Sequence, residues 1–83
     1  MQLPAKATIA EAGALLVELD AAADANEIDA GALQDFDTST VALLLEARRR
    51  AQARGAAFVI RNAPPKLQEL ARLYGVDELL SFQ

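Results

Sequence analysis

The chain has 83 residues, with twelve Asp and Glu against eight Lys and Arg for a net charge of −4, and a mean hydropathy of +0.14. With 53% hydrophobic residues it can build one small core and reads as a single domain over 1–83, but no apolar run approaches the roughly 20 residues of a membrane span, and the charge has the wrong sign for gripping a phosphate backbone. The lack of Cys and His removes disulfides, thiolate chemistry, the commonest metal ligand and the commonest general base near neutral pH, so neither a metal nor a cofactor is expected.

Residues 1–7 carry Pro4, which has no amide to give a ladder, so a strand here is expected at a sheet edge or to start late, and is read as an edge strand. Thr8-Ile-Ala-Glu11 has capping-box spacing, and Ile9, Ala12, Leu15, Leu16 and Leu19 follow at helical spacing, predicting a helix over 9–23. Asp24-Ala25-Asn26 reads as its exit loop and 27–30 as a short strand. Asp35-Phe36-Asp37-Thr38-Ser39-Thr40 sets carboxylates and hydroxyls in front of an apolar run, the pattern of a helix N-terminus. On the helix that follows, Val41, Leu44, Leu45, Ala47 and Ala51 form the apolar face, and Gly55 ends it behind an Arg-rich last turn.

Residues 56–61, centred on Phe58-Val59-Ile60, predict a buried strand about six residues long. Asn62 offers a cap, and Pro64-Pro65 suit a first helical turn. Leu67, Leu70, Ala71 and Tyr74 mark a third helix with Tyr74 at the edge of the core, Gly75 closes it, and 76–80 form a further short turn of helix. Strands alternating with helices predict an α/β domain: a mixed sheet of about four strands covered by three main helices plus a short C-terminal helix. The residues expected to be buried are Val41, Leu44, Leu45, Phe58, Ile60, Leu67, Leu70 and Leu79.

No catalytic constellation is legible: there is no glycine-rich phosphate loop, no nucleophile beside a nitrogen base and no motif-spaced carboxylate pair, so no enzymatic activity is expected. Read from the residues alone, Asp37, Thr38 and Ser39 satisfy free amides at a helix start, where the helix dipole would also welcome a phosphate or a partner's acceptor. Arg48, Arg49, Arg50 and Arg54 read as a solvated face matched to the C-terminal end of the dipole, with a partner contact open to Arg49 and Arg50. The start of the chain has neither the basic opening nor the long apolar middle of a signal peptide, so a cytoplasmic location is expected. An acyl carrier protein, the other small acidic chain with an Asp-hydroxyl helix start, would need Asp-Ser-Leu in an all-helical bundle, against the strand at 58–60.

The order of elements, with Phe36-Asp37-Thr38-Ser39 between a strand and the long helix, resembles the STAS domain, shared by anti-sigma-factor antagonists and sulfate-transporter tails, and the resemblance covers nearly the whole chain. Val41-Ala42-Leu43-Leu44-Leu45, Gly55 and Pro65-x-Leu67-x-x-Leu70-Ala71-x-Leu73-Tyr74-Gly75-Val76 are most similar to one branch, the small cytoplasmic subunit of bacterial phospholipid-transport ABC complexes. The chain departs from the family in fitting one strand, not a hairpin, before the first helix, and in placing Thr40 where the family has Gly. An edge left by the missing strand would allow a homodimer.

The resemblance implies a STAS-like fold and a non-enzymatic role through a partner: the ATPase of an ABC transporter, with the protein peripheral to the inner membrane, or alternatively an anti-sigma factor kinase. The partner-binding residues it implies are Asp37, Thr38, Ser39 and Thr40, joined by Arg49 and Arg50. In the transport branch the first hydroxyl, at Thr38, lies at the ATPase contact, whereas in the antagonists the second, at Ser39, is the phosphorylation site.

Overall fold

The computed structural model describes residues 1–21 and 26–83. Its elements in chain order are β1 (Lys6–Ala7), α1 (Ile9–Ala21), β2 (Glu27–Asp29), β3 (Asp35–Phe36), α2 (Thr38–Ala53), β4 (Val59–Arg61), α3 (Pro65–Leu73) and α4 (Asp77–Leu80). The expected end of the first helix at Ala23, and Asp24 and Ala25 of its exit loop, lie outside the described residues. Among the described residues the domain is mixed α/β, with four helices and two two-stranded parallel sheets, β1 with β3 and β2 with β4.

Among the described residues all pairings are parallel, including the isolated bridges Gln2↔Asp29 and Ile60↔Phe82, which corrects the expected mixed sheet. Each pair of partnered strands is separated in the chain by a helix, the connection a parallel pair needs, and among the described residues no hairpin supplies an antiparallel neighbour. The strand of the N-terminal segment starts only at Lys6, past Pro4, and is an edge of the two-stranded β1–β3 sheet, as expected. The Leu3 amide donates to the Asp29 carbonyl at 2.9 Å and the Ala5 carbonyl accepts from the Gln34 and Asp35 amides at 2.8 Å, so the segment runs first along β2 and then along β3. Pro4 falls where the chain changes partner, a place at which a missing amide costs no ladder bond.

β3 is too short and too polar to have been read as a strand, and only its position ahead of the helix start was legible. β4 spans three residues, half the length expected, and its other side is taken by the C-terminal segment: Gln83 donates to the Ile60 carbonyl at 2.8 Å after a left-handed turn at Ser81 with φ 52°. Gly55 and Gly75 take φ of 72° and 71° at the ends of α2 and α3, the conformation for which glycine is suited. Pro65 opens α3 as expected, but the position before it is Pro64 with no side-chain cap. Asn62 instead turns through φ 58° and donates to the Asp29 carboxylate at 3.2 Å.

The core joins Leu3 and Ala7 from the N-terminal segment to Leu15 and Leu19 of α1, Ile28, Ile60, and Leu43, Leu44 and Ala47 of α2. Of the residues expected inside, Val41, Leu44, Ile60 and Leu67 are buried, while Leu45, Phe58 and Leu70 are half-buried. Leu43, off the expected face, is buried as well, because α2 packs against α1 as well as α3 and α4 and needs a wider apolar stripe. Leu79 is 43% exposed and Leu80 wholly buried. Neighbours on a helix point about 100° apart, so a short helix covered on one side, unlike α2, buries one of them more than the other. Leu80→Ala should therefore cost about 2–5 kcal/mol and Leu79→Ala under about 1 kcal/mol in urea denaturation. Equal losses would show that α4 docks in another register.

Candidate functional site

The site is the meeting point of two helix starts. Asp37, in extended conformation with φ −145°, is the N-cap of α2 and accepts from the Ser39 amide at 2.9 Å, while the Thr40 hydroxyl accepts from the Asp37 amide at 3.1 Å, completing a capping box. Thr40 replaces the Glu or Gln usual at that position of the box. Its hydroxyl is fully buried and donates to the Ala7 carbonyl at 2.5 Å, tying the end of β1 to the start of α2.

The second oxygen of Asp37 accepts from the Ile9 amide of α1 at 3.2 Å. One carboxylate thus serves free amides at the starts of two helices, and Asp37 lies 28 residues from Ile9 in the chain. At Thr8 the expected capping box is half formed. The Thr8 amide donates to Glu11 at 2.9 Å, but the Thr8 hydroxyl donates to the same carboxylate oxygen at 2.7 Å. These two bonds from Thr8, the hydroxyl's first, hold the Glu11 carboxyl below its ordinary range.

Thr38 is exposed at the first position of α2 and Ser39 is half-buried behind it. They open to opposite sides of the helix. Thr38 lines a shallow groove with Val41, Ala42, Leu45, Tyr74 and Val76, and Ser39 lines another with Ile9, Leu16, Ala42, Leu43 and Glu46. Sequence reasoning missed this surface in two places. Tyr74, expected at the core edge, is 54% exposed at the C-terminal cap of α3, and Ile9, counted on the apolar face of α1, is 73% exposed. Both sit at helix ends, where a periodic pattern continues but there is no neighbouring element to cover it. No local signal marked Ala42.

Arg49 and Arg50 are not brought to this turn: eleven residues of helix separate Arg49 from Thr38, about 16 Å along the axis. Arg49 is bound at 2.9 Å to both oxygens of Glu46, which raises its own pKa and lowers that of Glu46. Arg50 bonds the Leu16 carbonyl at 3.4 Å and pairs with Asp20, strapping α1 to α2. Among the described residues no group of three or more carboxylates is placed to hold a metal ion.

Two stability outcomes follow from this geometry. Thr40→Val keeps the shape but leaves the Ala7 carbonyl and the Asp37 amide without their partner, so it should cost about 1–3 kcal/mol in urea denaturation while Thr40→Ser retains most of the stability. Equal losses for Val and Ser would mean that packing of the methyl, not the hydroxyl, holds the junction. Because the folded state lowers the Glu11 pKa below its ordinary 4.5, the unfolded chain binds more protons in acid. The stabilisation is then present above the ordinary value and lost as pH falls through the folded one. Urea midpoints taken from about pH 6 to about pH 3 should fall, less steeply in Glu11→Gln, and an unchanged slope would remove Glu11 from the acid response.

A family model described as "Mlab, STAS domain" matches residues 1–81. No curated protein and no solved structure matches the chain. A match over nearly every residue, on a domain whose long second helix starts at an Asp-Thr-Ser cap, settles the affiliation: the chain belongs to the MlaB-type STAS domain family.

Proposed function

We propose that this protein is a non-catalytic subunit that binds the cytoplasmic ATPase of a phospholipid-transport ABC complex, and that the N-terminal end of α2 is its contact. The observation that carries this reading is the family match to MlaB combined with an exposed Thr38 at the start of a firmly capped helix. The Asp37 and Thr40 bonds hold that start in place without using the Thr38 side chain, and a rigid, partly apolar surface with one exposed hydroxyl suits a protein contact better than a reaction. Asp37, Ser39 and Thr40 shape the turn, and Arg49 and Arg50 extend the same contact along the helix. No helix among the described residues is long and apolar enough to cross a membrane, so in this reading the protein reaches the inner membrane through its partner.

Phosphorylation of Ser39, the anti-sigma-antagonist mode, is less well supported. A phosphate would add about −1.5 to −2 charges in a groove that already holds Glu46, beside the carboxylate of Asp37. Thr38→Glu should abolish copurification with the ATPase of the Mla complex from the same organism, because it would desolvate a charge at the interface. The isolated domain should stay folded, since an acid in the first turn suits the helix dipole. Ser39→Ala should bind as the wild type does. Loss of binding in Ser39→Ala alone, or a phosphate found on Ser39 in cells, would turn the reading to a phosphorylation-controlled antagonist of an anti-sigma factor kinase.

A further inference from the structure

The strands leave two outer sides, and the chain treats them differently. On one, the C-terminal segment lies along β4: the Ile60 amide donates to the Ser81 carbonyl at 3.3 Å and the Gln83 amide to the Ile60 carbonyl at 2.8 Å. On the other lies the N-terminal segment, whose bonds all run to one side. The Met1 carbonyl accepts from the Asp29 amide at 2.9 Å, the Leu3 amide donates to the Asp29 carbonyl at 2.9 Å, and the Ala5 carbonyl accepts from the Asp35 amide at 2.8 Å. Along a strand the backbone groups of every second residue point the same way. The odd residues therefore face β2 and β3, and the backbone groups of Gln2, Pro4 and Lys6 face outward, where no strand pairs with them among the described residues.

The core fixes which residues face outward. Leu3 and Ala7 are buried, and a slip of one residue would turn both to solvent, whereas Gln2, Pro4 and Lys6 are exposed. An open edge is a template for another strand, and the strand always at hand is the same edge of a second copy. Two copies related by a two-fold axis run antiparallel there. The register that uses all three outward residues sets Gln2 against Lys6 of the second copy, twice, and Pro4 against Pro4 on the axis.

Residues that face each other in this way exchange two hydrogen bonds. Both pairs of Gln2 with Lys6 can do so. The prolines cannot, because neither has an amide and each ring fills the place where an amide hydrogen would point. The bonds are lost at the centre of the contact, and two carbonyls are left facing each other away from water. Inside one molecule the same proline costs no ladder bond, since its nitrogen points outward. Its effect is felt between molecules.

We propose that the outer edge of residues 2–6 is a latent dimer surface that Pro4 keeps closed to a second copy. The homodimer that an open edge would allow therefore does not form through it. Residues 2–6 line neither groove at the start of α2, so the ATPase reading stands or falls separately.

Sedimentation equilibrium compares the wild type with Pro4→Thr, which restores the amide on a residue suited to strands, and Pro4→Ala, which restores it on one less suited. The self-association constant of Pro4→Thr should exceed the wild type's by about tenfold or more and that of Pro4→Ala by a smaller factor, with dilute samples of both folded by circular dichroism. Amide hydrogen exchange locates the contact. Exchange at Lys6 should slow as the concentration of Pro4→Thr rises and stay constant in the wild type.

Association of Pro4→Thr no stronger than the wild type's overturns the guard. Should that variant fail to fold, Pro4→Ala decides alone, stronger association supporting the proposal and equal association overturning it. Stronger association with exchange at Lys6 unchanged places the contact elsewhere and overturns the edge. Exchange at Lys6 that slows with concentration in the wild type shows copies pairing past Pro4 and overturns the proposal as well.

Discussion

The fold is pinned at the hydroxyl of Thr40. It is the buried polar side chain at the junction of sheet and helix, and its two hydrogen bonds run in different directions, one donated to the end of β1 and one accepted from the cap of α2. A buried hydroxyl is tolerated only when satisfied, and here both requirements are met by backbone groups that would otherwise be left without partners. With the backbone of Asp37 held in this way, its carboxylate is positioned to reach both Ser39 and Ile9. The resemblance places Gly at this position in related domains. Thr40 gives up the conformational freedom of glycine and gains a cross-link between layers, which suits a chain with few and short strands.

Charge is distributed unevenly over this frame. The arginines of α2 lie in its second half, where Arg50 bonds a backbone carbonyl and a carboxylate of α1. The helix pair is therefore clamped at one end by a carboxylate shared between amides and farther along by a guanidinium. Ion pairs as exposed as Arg49 with Glu46 contribute little on their own. Arg50 is half-buried and joins α2 to both a carbonyl and a carboxylate of α1. The N-terminal half of α2, residues 38–45, carries no charged side chain.

Much of this was legible in the sequence, and what was not has a common physical cause. The Asp37 cap, the length of α2, the glycines that end α2 and α3, and Pro65 at the first turn of α3 are local chemistry, written within a few residues of one another. What could not be read depends on contacts between distant segments. Pro4 marked the late start and edge position of β1, but the change of partner at the proline, from β2 to β3, had no local signal. β4 was read as long because Phe58 has the composition of a strand, although its pairing partner β2 is only three residues long. Leu79 and Leu80 are equivalent in composition, and only the docking of α4 distinguishes them. In the candidate site, Asp37, Thr38 and Ser39 were visible as a motif. Ala42, Tyr74 and Ile9 were not, because a surface made by three elements has no signature in any one of them.

The carboxylate shared by Ile9 and Ser39 also bears on motion. Helix ends ordinarily fray one at a time, since each terminal turn is held by its own few bonds. In this domain the first turns of α1 and α2 share an acceptor, so releasing Asp37 loosens both at once. The two starts are thereby linked through one acceptor, which couples their local unfolding. A partner seated on α2 would then quiet the backbone of α1 even where it makes no contact with that helix.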